Sequence, residues 1–305
     1  MTNVRIYVKL KFMRELEFIK LYCNICQYYN TTLSYEVQRQ SNNFCPKFTD
    51  EECMATYIWG IYNQKFNVKG CYNFIKEFYG AWFPDLPSYQ AYNKRICYLS
   101  DGFKALASTF MSSIGLNINH SDFVQDSIPI VVASEKRWGR AKSAKDLCDK
   151  GYCSSKNLRY YGIKLFVLSQ SNYKAMPTPA NMAISKASTH DLAISKNTLS
   201  DLYNARVFCD MAFIDKEWQD NMLKENNVEI ITPIKRTKTK KQLSFWDKIY
   251  SYSVSSVKQS IESFNNWIIE KTNIQKASKV RSNNGLISFI FARIACACFC
   301  FGFNS

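Results

Sequence analysis

Phe123-Val124-Gln125-Asp126-Ser127-Ile128-Pro129-Ile130-Val131-Val132 is the stretch whose reading decides the fold. Apolar and β-branched residues dominate it, so it reads as a strand with one acid inside, although Pro129 removes a donor from the ladder. Downstream, Arg159–Leu168 (RYYGIKLFVL) is a second strand and Met182–Ser185 starts a third. Arg206-Val207-Phe208-Cys209 is a short apolar run leading into Asp210. A helix follows from Asp215, its candidate N-cap, and then a strand over Val228–Thr232. Ile249–Lys271 has the period of a long amphipathic helix, with Val254, Val257, Ile261 and Phe264 on one side and Glu262 beside them, facing inward. Strands alternating with helices predict a mixed α/β domain.

Upstream of about residue 115 the texture is helical. Met54, Ile58, Ile61 and Tyr62 recur at helical spacing, with Asp50 after Thr49 as a candidate cap. Phe83-Pro84-Asp85-Leu86-Pro87 breaks the pattern, and Ser88 then caps a helix carrying Tyr89, Tyr92, Ile96 and Leu99 on one side. That helix bears Lys94 and Arg95, so the segment reads either as a DNA-reading helical module or as a bundle with a solvated charged face. The expected organisation is a helical domain over 1–115 and a mixed domain over 116–305.

Forty Lys and Arg against 25 Asp and Glu leave a net charge of +15, which points to an acidic polymer or anionic surface as partner. Hydrophobic residues at 47% are enough for a real core. The chain has twelve cysteines but only His120 and His190. The Cys23/Cys26 pair has no second pair at zinc spacing, so no structural metal is expected and the thiols are expected to be reduced. Too few histidines remain for a His-rich phosphohydrolase site, and no phosphate-cradling G-x-x-x-x-G-K-[ST] motif occurs. Leu286–Phe303 is apolar enough to approach membrane-spanning length. Arg293 near its middle would cost roughly 2.5–3.5 kcal/mol on insertion scales, so a buried terminal helix is expected and no membrane partner.

Asp126 and Asp210 each sit at the working part of an expected strand, and Glu262 lies on the late helix. Acids brought together in this way suit phosphodiester chemistry, in which two divalent ions about 3.5–4 Å apart neutralise the attacking and leaving oxygens. Mg²⁺ takes hard oxygen ligands. Carboxylates at such range repel by on the order of 4 kcal/mol at an effective dielectric of 20 unless a cation compensates. Asp122, Asp215 and Glu270 are rival acids, and local context does not choose among them.

A resemblance does choose. The segments Phe83-Pro84-Asp85-Leu86-Pro87-Ser88-Tyr89, Asp126-Ser127-Ile128-Pro129, Lys150-Gly151-Tyr152-Cys153-Ser154-Ser155-Lys156, Tyr160-Tyr161-Gly162-Ile163-Lys164-Leu165, Lys186-Ala187-Ser188-Thr189-His190-Asp191, Cys209-Asp210-Met211-Ala212-Phe213 and Lys258-Gln259-Ser260-Ile261-Glu262 follow one another in order. Together they resemble the DDE transposases of bacterial insertion sequences, in the compact branch without an insertion domain between the second Asp and the Glu. The resemblance implies a ribonuclease-H-like mixed sheet flanked by helices after an all-α N-terminal domain. It also implies metal-dependent strand cleavage and 3′-hydroxyl strand transfer, with Asp126, Asp210 and Glu262 as catalytic residues and ligands of two Mg²⁺, for which Mn²⁺ substitutes. Double-stranded DNA, as element terminal repeats and as target, is the implied partner. A homodimer or larger assembly on DNA and a cytoplasmic, nucleoid-associated location in a bacterium are implied with it.

Departures from the pattern are Met211, Phe213, Phe166 and Lys258, where the family carries Lys or Gly, Tyr, His and Arg. None removes a metal ligand, and the alternative they leave open is an inactive relic that only binds DNA. Candidate DNA contacts are Lys136, Arg137, Arg140, Lys156, Lys164, Lys235, Arg236 and Lys258, with Lys94 and Arg95 in the helical part. Trp138, Tyr152, Tyr160 and Tyr161 are available for stacking on bases.

Overall fold

Strand β1 (Asp122–Ser134) is the axis of a mixed sheet. It pairs antiparallel with β3 (Leu158–Gln170) on one side and parallel with β5 (Ala205–Phe208) on the other. Beyond β5 lies β6 (Val228–Ile231), also parallel. On the far side of β3, β2 (Asp149–Cys153) pairs with its first half and β4 (Thr178–Lys186) with its second, both antiparallel. The order β4-β3-β1-β5-β6 is the expected ribonuclease-H-like arrangement, in which three antiparallel strands precede two parallel ones. This computed structural model describes residues 2–33, 37, 46–154, 156–172, 175–235 and 242–303. Pro129 sits within β1 opposite Lys164, and the strand continues through it.

Side chains alternate across the sheet, and the two faces are covered by different helices. Phe123, Val207 and Cys209 face a core shared with Ile194 and Leu199 from the region of α6 (Asp191–Thr198) and Met222 from α7 (Lys216–Asn226). Asp215 caps α7 as expected, accepting from the backbone N–H of Trp218 at 3.2 Å. On the other face lies α8 (Phe245–Thr272), whose buried residues Val254, Lys258, Ile261, Phe264, Asn265 and Ile268 form one stripe. Glu262, expected to face inward, is exposed at the margin of that stripe. Residues Gln275–Ala277 hydrogen-bond β1 through Val131, at 2.8 and 2.9 Å.

The helical unit contains α1 (Thr2–Thr31), α2 (Asp50–Tyr62), α3 (Val68–Phe78), α4 (Tyr89–Tyr98) and α5 (Ser100–Ile114). Thr49, rather than Asp50, caps α2, in a reciprocal box with Glu52. Asp50 instead forms a bidentate ion pair with Arg95, which explains how a carboxylate only 4% exposed is tolerated. Ser88 caps α4 as expected, and Tyr92, Ile96 and Leu99 are buried along it.

Contacts divide the chain at Ile114/Gly115 and group Lys271–Ile274 and Lys279–Ser305 with the helical unit. The expected mixed domain over 116–305 is therefore shorter, because the terminal helix α9 (Asn283–Phe303) packs against α5 and α2. By length and composition α9 could cross a membrane, yet most of its apolar window is buried within the protein. Arg293 is fully buried there, donating to the carbonyls of Phe66 (2.7 Å) and Phe289 (3.0 Å) and to Tyr57 Oη (3.3 Å), with its guanidinium over the Phe289 ring. Those partners offset the cost of burying a cation, and α9 is the core helix that the sequence led us to expect.

Candidate active site

The parallel register of β1 and β5 couples Asp122 to Arg206, Phe123 to Val207 and Val124 to Phe208, a constant offset of 84 residues. Asp126 and Asp210 are separated by the same 84 (210 − 126). Carrying the register two residues past β5 therefore brings the two aspartates to matching positions on neighbouring segments, near enough for the Asp210 charge to act on Asp126. Between them in the sequence of each strand, Gln125 and Cys209 meet on the opposite face, where Cys209 Sγ lies 3.9 Å from Gln125 Oε1.

Helix α8 reaches both acids. Lys258 Nζ donates to Asp210 Oδ1, and Asn265 Nδ2 donates to Asp126 Oδ2 at 2.9 Å. Lys258, Glu262 and Asn265 are spaced i, i+4, i+7, so they lie along one face of the helix with Glu262 in the middle. Glu262 is close enough to add its charge to the field at Asp126. The Asp126 carboxyl is pushed up to about 6, first by burial and further by the neighbouring Asp210 and Glu262 charges, against the lowering effects of the Ser127 backbone N–H and Lys258. Asp126 retains some surface exposure, but its carboxylate is ringed by protein atoms, and its desolvation dominates.

Among the described residues, no three acidic, Cys or His side chains converge closely enough to hold a single ion. The donor chemistry nevertheless suits a hard divalent cation: three carboxylates on adjoining elements, with the buried Asn265 Oδ1 lacking any hydrogen-bond partner beside them. The rival acids are engaged elsewhere. Asp122 forms a bidentate pair with Arg206, Asp215 caps α7 and pairs with Lys196, and Glu270 lies exposed eight residues beyond Glu262 on α8.

Sequence reasoning missed Asn265 and Gln125. Gln125 is fully buried, accepts from Ser195 Oγ at 3.0 Å and ties β1 to α6. The available signal for Asn265 was its spacing of three from Glu262, which puts an amide on the same helical face as the acid.

The candidate DNA contacts divide into two groups. Lys136, Arg137 and Arg140 are exposed on a short 3-10 helix directly after β1, and Lys156 and Lys235 are exposed as well, Lys156 donating to Gln275 Oε1 at 3.2 Å. Lys94 is exposed over the ring of Tyr98. Lys164, by contrast, is held by Thr189 O (2.9 Å) and Asp191 Oδ1 (2.6 Å), Lys258 is buried against Asp210, and Arg95 is committed to Asp50. Arg236 lies outside the described residues. Of the aromatic residues, Tyr160 and Tyr161 are buried and unavailable for stacking, whereas Tyr152 is half exposed.

No curated protein and no solved structure matches the chain. The profile of the family described as "Transposase DDE domain" matches residues 118–282. This span takes in β1 through α8, and with them Asp126, Asp210 and Glu262. It covers more than half of the chain, and DNA is the substrate that the family implies. The chain belongs to the DDE-domain transposases.

Proposed function

We propose that this transposase serves a bacterial insertion sequence of the compact branch, cutting DNA at the element's ends and joining the freed 3′-hydroxyl to target DNA. Asp126, Asp210 and Glu262 are its catalytic carboxylates and the ligands of two Mg²⁺, with Mn²⁺ as a substitute. When bound, such ions activate the attacking oxygen and stabilise the leaving one. The observation that carries this reading is the shared 84-residue offset, which pairs the aspartates while α8 touches both around Glu262.

The protein's own side chains orient this chemistry. Asn265 fixes the Asp126 carboxylate by donating to one of its oxygens, and the Ser127 backbone N–H donates to the same carboxylate. Lys258 neutralises Asp210 in the ion-free protein, and its ammonium would be available to a nearby phosphate if a metal ion claimed that carboxylate. Lys136, Arg137, Arg140, Lys156 and Lys235 are exposed cations for the DNA backbone. Lys164 instead supports the turn at Thr189–Asp191. The helical unit binds the terminal repeats, two copies or more assemble because two ends must be paired, and the protein works at the nucleoid in the bacterial cytoplasm.

The test is cleavage of a supercoiled plasmid carrying the element, with Mg²⁺ or Mn²⁺. Asp126→Ala, Asp210→Ala and Glu262→Ala should each lower the rate by on the order of a thousandfold or more while leaving DNA affinity in EDTA intact. Full activity of Asp210→Ala would refute the assignment.

A further inference from the structure

A cleft of about 420 Å³ opens in the mixed unit, lined by Trp138, Lys150, Tyr152, Arg159, the turn Ala187–Asp191 and Ala212. Its size is within the range of small-ligand pockets, roughly 300–1,000 Å³. Ala212 belongs to the short turn that follows Asp210, so one rim of the cleft is two residues from the candidate active site.

The cleft is built rather than incidental. Gly151 on β2 lies so close to the Ala187 turn that a Cβ there would come within 2.6 Å of Ala187 Cβ and 2.8 Å of its carbonyl oxygen. Asp149 accepts from the backbone N–H of Ser188 at 2.8 Å, and Lys164 bonds Thr189 O and Asp191, so the floor is fastened from both sides. Among the described residues Asp191 is the one acid lining it, and Lys164 neutralises that charge. Lys150 and Arg159 are exposed and form no ion pair among the described residues, which leaves the cleft positive. Lys150 Nζ lies 5.8 Å from the centre of the Trp138 ring, and Tyr152 is 53% exposed.

Free cations beside accessible aromatic rings are the two components of single-strand recognition: charge for the phosphate and a π-face for the base. In a duplex each base face is covered by its neighbours, so Trp138 and Tyr152 could be used only by a base out of the stack. We propose that this cleft takes an unpaired nucleotide of a DNA strand, its base against Trp138 and Tyr152 and its phosphate against Lys150 and Arg159. The inference rests on the reading that the protein acts on DNA, and it adds that the strand next to the cutting site is held unpaired.

Binding is to be measured by fluorescence anisotropy in EDTA, where no cleavage can occur, with three labelled probes: a short blunt duplex, the same duplex with unpaired 3′ thymidines, and the same with an abasic 3′ tail. The thymidine tail should bind at least about fivefold more tightly than the other two probes. That preference should vanish in Trp138→Ala/Tyr152→Ala and survive in Trp138→Phe/Tyr152→Phe, while blunt-duplex affinity, which also reports folding, stays within about twofold. Equal affinity for all three probes, or a tail preference untouched by the double alanine variant, would overturn the proposal. Asp210→Ala should keep the tail preference while losing cleavage. A wild-type protein that prefers the tail but cuts nothing in Mg²⁺ would sink the catalytic reading and leave the cleft assignment standing.

Discussion

Asn265 Nδ2 donates to Asp126 Oδ2 at 2.9 Å, joining the long helix to the central strand across 139 residues of sequence. An amide in this position fixes the carboxylate's rotation without adding charge. Partners that orient metal-binding groups typically contribute 10–100-fold to affinity or activity, and Asn265→Ala should lose about that factor in single-turnover cleavage. DNA affinity in EDTA should be unchanged; an equal loss in both would mean that the helix has shifted instead.

The elevated Asp126 carboxyl gives a pH dependence of definite sign. Its pKa is raised from 3.8 to about 6 in the fold, so the folded state holds its proton more tightly than the unfolded chain does. The stability contributed by that proton is complete below about 4 and is lost as pH rises through about 6. The ion-free protein should therefore melt at a higher temperature at pH 5 than at pH 7.5, by no more than about 3 kcal/mol of stability from this group. Asp126→Asn should flatten that part of the profile. Cleavage runs the other way, since metal binding needs the ionised Asp126 carboxylate, so its rate should fall towards acid pH and the fall should move to lower pH as Mg²⁺ is raised.

Lys258 competes with any cation for Asp210, because its ammonium is buried and already bonded to that carboxylate. In Lys258→Met the competitor is gone and one positive charge is removed from the site, so Mn²⁺ affinity by calorimetry should rise several-fold. The cleavage rate should fall in the same variant, for want of a cation at the phosphate. Weaker Mn²⁺ binding in Lys258→Met would show that the lysine helps build the site.

Arg293→Ala should destabilise the helical unit by about 3–5 kcal/mol in urea unfolding. It removes a buried cation together with its bonds to Phe66, Phe289 and Tyr57 and leaves a cavity behind. Arg293→Met fills most of the volume with an apolar chain and should cost much less. If the two variants proved equally unstable, the guanidinium's specific bonds would be the dominant contribution.

What the sequence made legible was whatever depended on local period and capping. The strand around Asp126, the run into Asp210, the Asp215 and Ser88 caps and the amphipathic late helix all stand where their patterns put them. Strand β2 and helix α6 had no independent pattern: β2 is a short strand whose residues alternate between half-buried and exposed, and α6 has only eight residues. The fates of the basic residues were equally hidden. Lys164, Lys258 and Arg95 look like free cations in one dimension, and each is taken by an acid 27, 48 or 45 residues away. The role of Asn265 was illegible because an uncharged amide on a helix carries no sign of its partner. Only the packing of α8 against β1 reveals which acid it meets.

The grouping of Lys279–Ser305 with Met1–Ile114 bears on synthesis. As the nascent chain leaves the ribosome, the sheet and its flanking helices can close as soon as residue 278 has emerged. The first hundred residues must wait, because α5 and α2 lack their covering helix until the final stretch is made. At about 5–20 residues per second, the amino-terminal helices spend some ten seconds or more with an apolar flank uncovered. A chain cut short before Asn283 would thus carry a complete sheet tethered to a bundle without its covering helix.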